Sequence, residues 1–161
     1  MQRRTLILAG ASLGVAPGLV FGQSKGKTVR IGILAGDLTA PHEEEALLSG
    51  LREQGLVEGR NLIVERRYAD GRVDKVPGFA RELAGMNLDV VISTCTPTTL
   101  VAQRAFGSTP DSTPIVMAAV ADPVGQQIIA SLARPGANVT GMASLADETM
   151  PRMLHLFASV L

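Results

Sequence analysis

The sequence is poor in cysteine and in aromatic residues, and its charge is balanced. Aromatic residues make up 3% of its 161 residues and tryptophan is absent, so no aromatic partner for an indole ring is evident. One cysteine, Cys95, excludes an internal disulfide. Fifteen basic and fifteen acidic residues leave no charged surface for nucleic acid or an anionic membrane. Small neutral or zwitterionic partners are favoured instead.

The remaining composition is that of one ordinary globular domain. Hydrophobic residues make up 46% of the chain. A domain of about 140 residues removes roughly two thirds of its unfolded surface from water, which is enough for one layered α/β structure without disulfides. Fibrous and disordered classes are excluded by the same numbers.

The first 22 residues predict an export signal. Arg3 and Arg4 precede the apolar run "TLILAGASLGVAPGLVF", and polar residues follow Gly22. A membrane-spanning helix needs about 20 apolar residues, whereas this run is shorter and contains Pro17. Cleavage near Gly22 is therefore predicted, with a retained anchor as the alternative. The arginine pair fits a twin-arginine signal and an ordinary secretory signal equally, so the route stays open.

From Thr28 onward, β-branched runs alternate with amphipathic segments, which predicts an α/β fold with a doubly wound parallel sheet, Rossmann-like or flavodoxin-like. Charged residues in the second run, Glu65, Arg66 and Arg67, place that strand near an edge of the sheet or mark the end of the strand. The predicted strands are Val29 to Leu34, Asn61 to Tyr68, Asp89 to Ser93, Pro114 to Val120 and Asn138 to Met142.

Helical periodicity appears between these strands. One helix is predicted around Leu47 to Leu51, and another from Val76 to Ala84 with Asp74 as its N-cap. A third is expected to begin at Pro123 and to bury four apolar side chains, Val124, Ile128, Ile129 and Leu132. The last segment, "ETMPRMLHLFASVL", predicts a helix with an apolar stripe that needs a cover, formed by Met150, Met153, Leu154, Phe157 and Val160.

Ligands of open parallel sheets bind beyond the carboxyl ends of the strands, which directs attention to three loops. In the first, Gly36 permits close approach and Asp37 is either a contact for a ligand amine or a solvated carboxylate. The second runs from Thr94 through Cys95 to Thr99. Here Thr96 is the expected N-cap, Pro97 the first helical residue, and the amides of Thr98 and Thr99 a cradle for a carboxylate.

The third loop comprises Ala121, Asp122 and Pro123. Asp122 either caps the following helix by accepting from Val124 or Gly125, or contacts a ligand. Both interpretations stay open on the sequence.

Enzymatic chemistry finds little support in these residues. His42 and His155 are far apart and have no neighbouring metal ligands, and no phosphate or dinucleotide loop is present. Cys95 beside a helix N-terminus is the one nucleophile candidate, as in a cofactor-independent racemase, although a second thiol is missing. We therefore expect no catalytic residue, no metal and no cofactor.

Two stretches carry a family resemblance. "GLREQGLVEGRNLIVERRYADGR" (Gly50 to Arg72) and "ADPVGQQIIASLARPGANVTGM" (Ala121 to Met142) resemble substrate-binding proteins of ABC transporters, in the group that includes tryptophan- and tyrosine-binding components. The resemblance implies a periplasmic protein of two lobes that closes over an amino acid or related carboxylate and presents it to an inner-membrane permease. It places ligand contacts around Gly36 and Asp37, at Thr94 to Pro97, and at Ala121 to Val124. Cys95 stands where a small residue is expected.

The resemblance also implies a domain division. Residues 1–22 are the export signal, residues 23–145 one α/β ligand-binding lobe, and residues 146–161 the start of a truncated second lobe, because family members are about twice as long. An interaction protein of one lobe, dimerising through its last helix, is the other alternative.

Overall fold

A computed structural model describes residues 28–36, 41–144 and 146–160. The predicted export signal at residues 1–22 and the predicted ligand residue Asp37 lie outside the described residues. Within the described ranges, no helix is long and apolar enough to cross a membrane.

Five strands are present in the described part of the chain: β1 (Val29–Ala35), β2 (Leu62–Tyr68), β3 (Val90–Ser93), β4 (Ile115–Ala121) and β5 (Val139–Ser144). All pair in parallel, in the order β2-β1-β3-β4-β5. Each coincides with a predicted strand to within two residues at either end. The α/β fold with a parallel sheet is thereby confirmed, as is the edge position of the charged strand β2.

The described ranges contain four α-helices, α1 (Pro41–Glu53), α2 (Val76–Ala84), α3 (Thr96–Phe106) and α4 (Ala146–Val160). The predicted cap of α2 is wrong by one residue. Lys75 is the N-cap and makes no side-chain capping bond, while Asp74 lies in a preceding 3-10 turn, Val73–Lys75. The backbone runs from this 3-10 turn directly into α2, so the helix begins without a carboxylate cap.

Helices α1 and α2 pack against opposite faces of the sheet. In β2, Arg66 forms an ion pair with Glu44 of α1 (Nε–Oε1 2.6 Å), and the next residue, Arg67, forms one with Glu82 of α2 (Nε–Oε2 2.8 Å). Successive strand residues point to opposite faces, so these two pairs define an α1 face and an α2 face. Helix α3 contacts α2, β3 and β4 and therefore lies on the α2 face.

The main core lies on the α2 face. Side chains from β1, β3 and β4 meet those of α2 and α3 there and are almost fully buried, among them Leu34, Val91, Ile115, Val120, Leu83 and Ala102. On the α1 face, α1 lies over the β2 side of the sheet, where Glu44 meets Arg66. The region over β3 to β5 stays largely open, and Met142 of β5 is 68% exposed there.

The helix predicted to begin at Pro123 is wrong. The chain forms irregular turns over residues 123–127 and bends over residues 128–130. Its backbone hydrogen bonds span three, four, five and six residues instead of a regular four, and Gln127 has a positive φ of 57°. Ile128 and Ile129 are buried as predicted, but Val124 and Leu132 are exposed. Two adjacent core side chains can be buried by a turn as well as by a helix, so the apolar pattern did not distinguish them.

Candidate functional site

The candidate site is the edge of the sheet where β1, β3 and β4 end, called here the carboxyl edge. The chain leaves β1 toward β2 on one side, and later leaves β3 toward β4 on the other. This order has its topological switch between β1 and β3. In doubly wound sheets, ligands bind in the crevice at such a switch point, beyond the carboxyl ends of the strands.

At the end of β1, Gly36 lies directly against Cys95. A Cβ atom built on Gly36 would stand 3.3 Å from Cys95 Sγ and 3.7 Å from Thr98 Cγ2. The missing side chain therefore lets the first loop approach the second. Gly36 O also accepts a hydrogen bond of 2.9 Å from the Gly71 amide, which ties this loop to the loop after β2.

At the end of β3, Cys95 caps helix α3. Its backbone is extended, its Sγ accepts a hydrogen bond from the Thr98 amide, and its own N–H donates to Thr98 Oγ1 at 3.2 Å. The expected cap, Thr96, is instead the first helical residue, and Pro97 is the second. Capping preferences rank threonine well ahead of cysteine, so the sequence favoured the wrong residue. The reciprocal bond with Thr98 is what selects Cys95.

The proposed carboxylate cradle is wrong in its donors. The Thr98 amide is bound by Cys95 Sγ, and the Thr99 amide donates to Cys95 O at 3.0 Å. Both threonine side chains are fully buried, and both hydroxyls donate to Cys95 O at 2.9 Å. In the first turn, Pro97 has no N–H, so the Thr96 amide is the donor that this helix start offers toward the crevice.

Neighbouring residues tie the loops of the carboxyl edge together. Thr96 Oγ1 accepts a hydrogen bond of 3.3 Å from the Ala121 amide at the end of β4. The Thr94 amide donates to Leu34 O of β1 at 3.4 Å. Beneath them, the buried hydroxyls of Ser93 and Thr99 lie 2.6 Å apart. Sequence reasoning missed the Ser93 bond, although a polar residue inside an apolar strand was its visible signal.

At the end of β4, Asp122 accepts the hydrogen bond expected of a capping residue, which was one of the two interpretations of this side chain. Its Oδ1 accepts from the Gly125 amide at 2.9 Å, although turns and not a helix follow. Asp122 is exposed and has a positive φ of 39°, and its carboxylate occupies the space that a side chain on Gly125 would need. Pro123, beside it, is buried.

A polar network that the sequence did not reveal fixes the start of α1. Glu44 accepts hydrogen bonds from Arg66 Nε and from the Tyr68 hydroxyl, and Arg66 binds Glu58 with two parallel hydrogen bonds of 2.7 and 2.8 Å. Burial favours a higher pKa for Glu44, but the bonds from Tyr68 and Arg66 outweigh it and the pKa is lowered. Burial, then the bond to Glu44, raises the pKa of Tyr68 to about 12.

An apolar depression, called here the trough, lies on the α1 face beside the carboxyl edge. Its volume is about 450 Å³, and Thr94 lies at one end. Two carboxylates, Glu43 and Glu44, contribute to its lining. Its apolar lining comes from Ile33, Leu47, Ile92, Ala118, Ala119 and Met142.

Metal chemistry finds no site in the described parts of the chain. No three His, Cys, Asp or Glu side chains among those residues come together in a way that could hold a metal ion. Cys95 Sγ contacts Thr98 and lies beside Gly36, neither of which is a base.

Comparison with known proteins decides the family. The profile of the family described as ABC transporter substrate binding protein matches residues 39–161. The chain belongs to this family. Among curated proteins, a tyrosine-binding protein of Clostridioides difficile is 28% identical over 128 residues, which are 78% of this chain and 36% of that protein.

Two solved structures share the fold. A conserved domain protein of Vibrio cholerae is 34% identical with a TM-score of 0.65, and an ABC domain of Streptococcus pneumonia in complex with L-Trp is 28% identical with a TM-score of 0.63. In both cases the match covers 73% of this chain and 39% of the other. The chain thus spans about two fifths of the structures it matches, which fits one lobe of such a protein.

Proposed function

We propose that this substrate-binding protein serves an ABC uptake transporter. It would hold a small solute, an amino acid or related carboxylate, at the carboxyl edge in a cleft between two lobes and deliver it to an inner-membrane permease. The observation that carries the proposal is the contact of Gly36 with Cys95 at the topological switch between the ends of β1 and β3. Family membership favours a binding role of this kind.

The ligand contacts proposed for this edge follow its geometry. The Thr96 amide and the Thr94 side chain would bind the ligand carboxylate, and the positive end of the α3 dipole would favour it. Cys95 and Thr98 would hold that turn in place, with Pro97 on its exposed side.

On the two flanking loops, Gly36 would leave room for the ligand, and Ala121, Asp122 and Pro123 would form the floor. Asp37, outside the described residues, is proposed to bind the amine.

An aromatic amino acid is the ligand class we propose first, because one relative is named for tyrosine and another was solved with L-Trp. A ligand held by one lobe loses about half of its contacts. If two lobes give a Kd of about 1 µM, halving the binding free energy leaves a Kd on the order of 1 mM.

Binding of L-Trp can be measured directly, because the chain contains no tryptophan and the ligand is then the sole indole fluorophore. We expect the anisotropy of L-Trp to rise with protein concentration and the rise to disappear in Gly36→Val, whose side chain would push against Cys95. Gly50→Ala is the matched control, because a Cβ there meets nothing within 4 Å. Absence of binding to L-Trp and L-Tyr at 10-fold the expected Kd would reject this ligand class.

A non-enzymatic role is proposed, in agreement with relatives that are binding proteins. The racemase alternative needs a thiol free to move protons, whereas Cys95 Sγ accepts a helix-capping bond and the sequence has no second cysteine. Cys95→Ser separates the two hypotheses. It should leave ligand binding intact, and loss of any measured racemisation in this variant alone would favour the enzyme.

Export to the periplasm is proposed, with residues 1–22 as the signal and residues 23–145 as the lobe. Mass spectrometry of the exported chain should then find an N-terminus close to Gln23, and an intact Met1 would contradict cleavage.

A function of the lobe in self-association, through the helix predicted at residues 146–161, is the second candidate, because apolar side chains of α4 are exposed.

A further inference from the structure

Ser93 places a fully buried hydroxyl at the end of an otherwise apolar strand. It is the last residue of β3, and its Oγ lies 2.6 Å from Thr99 Oγ1 of helix α3. Within the described residues, Thr99 is the one hydrogen-bond partner of this hydroxyl. Burying a hydroxyl costs free energy unless it is hydrogen-bonded, so the contact with Thr99 is what makes Ser93 tolerable in the core.

The hydrogen atoms of this pair have one consistent arrangement. A carbonyl oxygen only accepts, so the bond of 2.9 Å between Thr99 Oγ1 and Cys95 O requires the threonine hydroxyl to donate. Thr99 has then used its single hydroxyl hydrogen, and it accepts the hydrogen of Ser93. The result is a chain of two hydroxyls that runs from Ser93 through Thr99 to Cys95 O.

The Cys95 carbonyl oxygen receives three donors in all. Besides the Thr99 hydroxyl, the Thr99 amide donates to it at 3.0 Å and the Thr98 hydroxyl at 2.9 Å. Ordinary helix geometry would supply the amide alone. Each further hydrogen bond in such a network polarises its neighbours and strengthens them by about 10–30%.

The polarised peptide unit also carries the Thr96 N–H. The peptide between Cys95 and Thr96 is trans, and in a planar trans peptide the C=O and N–H bonds point in opposite directions. The three donors hold Cys95 O toward the body of α3, so the Thr96 N–H points away from the helix, beyond the carboxyl edge. This amide is the donor assigned above to the ligand carboxylate.

We propose that Ser93 is a positioning residue for the ligand carboxylate. Through Thr99 it holds and polarises the peptide between Cys95 and Thr96, which makes the Thr96 amide a stronger donor with a fixed direction. The proposal rests on the proposed function for the ligand, while the hydrogen bonds that carry it all lie within residues 93–99. A carboxylate gains most from this arrangement, because hydrogen bonds to a charged acceptor are the strong ones.

A double variant separates positioning from stability. Thr99→Val keeps the shape of the side chain but leaves the Ser93 hydroxyl buried without a partner, which should destabilise the fold. Adding Ser93→Ala removes the second polar group, and replacing both partners of a buried hydrogen bond is nearly neutral for stability. We therefore expect the double variant to unfold close to the wild-type Tm.

Binding of L-Trp should not recover with stability. A loss of about 10–30% from a charge-assisted hydrogen bond corresponds to binding that is about two- to fourfold weaker, measured by the anisotropy of L-Trp. Thr99→Ser keeps the hydroxyl and should bind as the wild type does. Thr140→Val, at an exposed position of β5, is the matched control. Wild-type affinity in the double variant overturns the proposal, because a purely structural role predicts that stability and affinity return together.

The backbone nitrogen resonance of Thr96 gives a second test, which needs no ligand. Hydrogen bonds to a carbonyl oxygen shift the nitrogen resonance of the amide that follows it. This resonance should therefore move in Ser93→Ala, move further in the double variant, and stay close to its wild-type position in Thr99→Ser and Thr140→Val. An unmoved Thr96 resonance in the double variant overturns the proposal, whether or not L-Trp binds. Movement in a protein that binds neither L-Trp nor L-Tyr rejects the proposed ligand class and supports the role of Ser93 in orienting the amide.

Discussion

Replacing Thr98 by valine tests the junction that holds the carboxyl edge together. Valine matches threonine in shape but removes the hydroxyl that donates to Cys95 O at 2.9 Å and accepts from the Cys95 amide at 3.2 Å. Thr98 is fully buried, so water cannot replace the lost partner. Leaving a buried backbone amide unpaired costs about 1–3 kcal/mol, and we expect about 2 kcal/mol of destabilisation.

The cap itself predicts an order among variants of Cys95. Cys95→Ala removes the acceptor of the Thr98 amide and should cost about 1 kcal/mol, as for other lost N-caps. Cys95→Ser keeps an acceptor of a preferred capping type and should be more stable than Cys95→Ala.

Thermal unfolding followed by circular dichroism is the assay. At about 2–4 °C per kcal/mol for a chain of this size, Thr98→Val should lower Tm by about 4–8 °C. Thr140→Val, at an exposed position of β5, is the matched control and should stay within about 0.5 kcal/mol of wild type. An unchanged Tm for Thr98→Val, or a serine variant no better than alanine at position 95, would refute the reciprocal cap.

Four further predictions concern stability. The pKa of Glu44 is lowered in the fold, so ionised Glu44 stabilises the protein above pH 4.5 and this stabilisation is lost on acidification. The free energy of unfolding, measured with urea, should therefore fall less between pH 6 and pH 3 in Glu44→Gln than in the wild type. The pKa of Tyr68 is raised to about 12, so the protein should lose stability between pH 10 and pH 12 as the phenol ionises, and Tyr68→Phe should remove that loss. A Cβ on Gly141 would lie 2.0 Å from Met117 O, so Gly141→Ala should unfold at much lower urea than Gly50→Ala, and equal midpoints would contradict this packing. Asn138 Nδ2 donates to Gly107 O and Thr113 O, and Asn138→Ala should cost about 2 kcal/mol, which an unchanged Tm would exclude.

The order of strands and helices was predictable because each depends on short-range pattern. Apolar β-branched runs such as Val29 to Leu34 indicated buried strands, and the three charged residues Glu65, Arg66 and Arg67 indicated an edge strand or the end of a strand. The helix predicted after Asp122 is wrong because two adjacent buried residues, Ile128 and Ile129, are compatible with a turn as well as with a helix. Hydrogen bonds such as the one that the Gly125 amide donates to Asp122 Oδ1 decide between the turn and the helix.

The candidate site, like the fold, could be predicted only in part from the sequence. That the loops proposed to face a ligand follow β1, β3 and β4 could be inferred from chain order, since parallel strands place their carboxyl ends at one edge. Which atoms remain available there does not, because the Thr98 and Thr99 amides are bound only once Cys95 adopts its extended conformation.

By itself, the sequence determined the layered α/β fold, the order of the elements and which loops lie at the carboxyl ends of the strands, because these depend on periodicity and on chain direction. Tertiary structure alone decided that Cys95 caps α3, that Glu44 joins Arg66 and Tyr68, and that a trough lies on the α1 face of the sheet. Those features depend on contacts between residues that are distant along the chain, or on which of several acceptors binds one donor. Only the packed arrangement of the elements sets the distances that decide which contact forms.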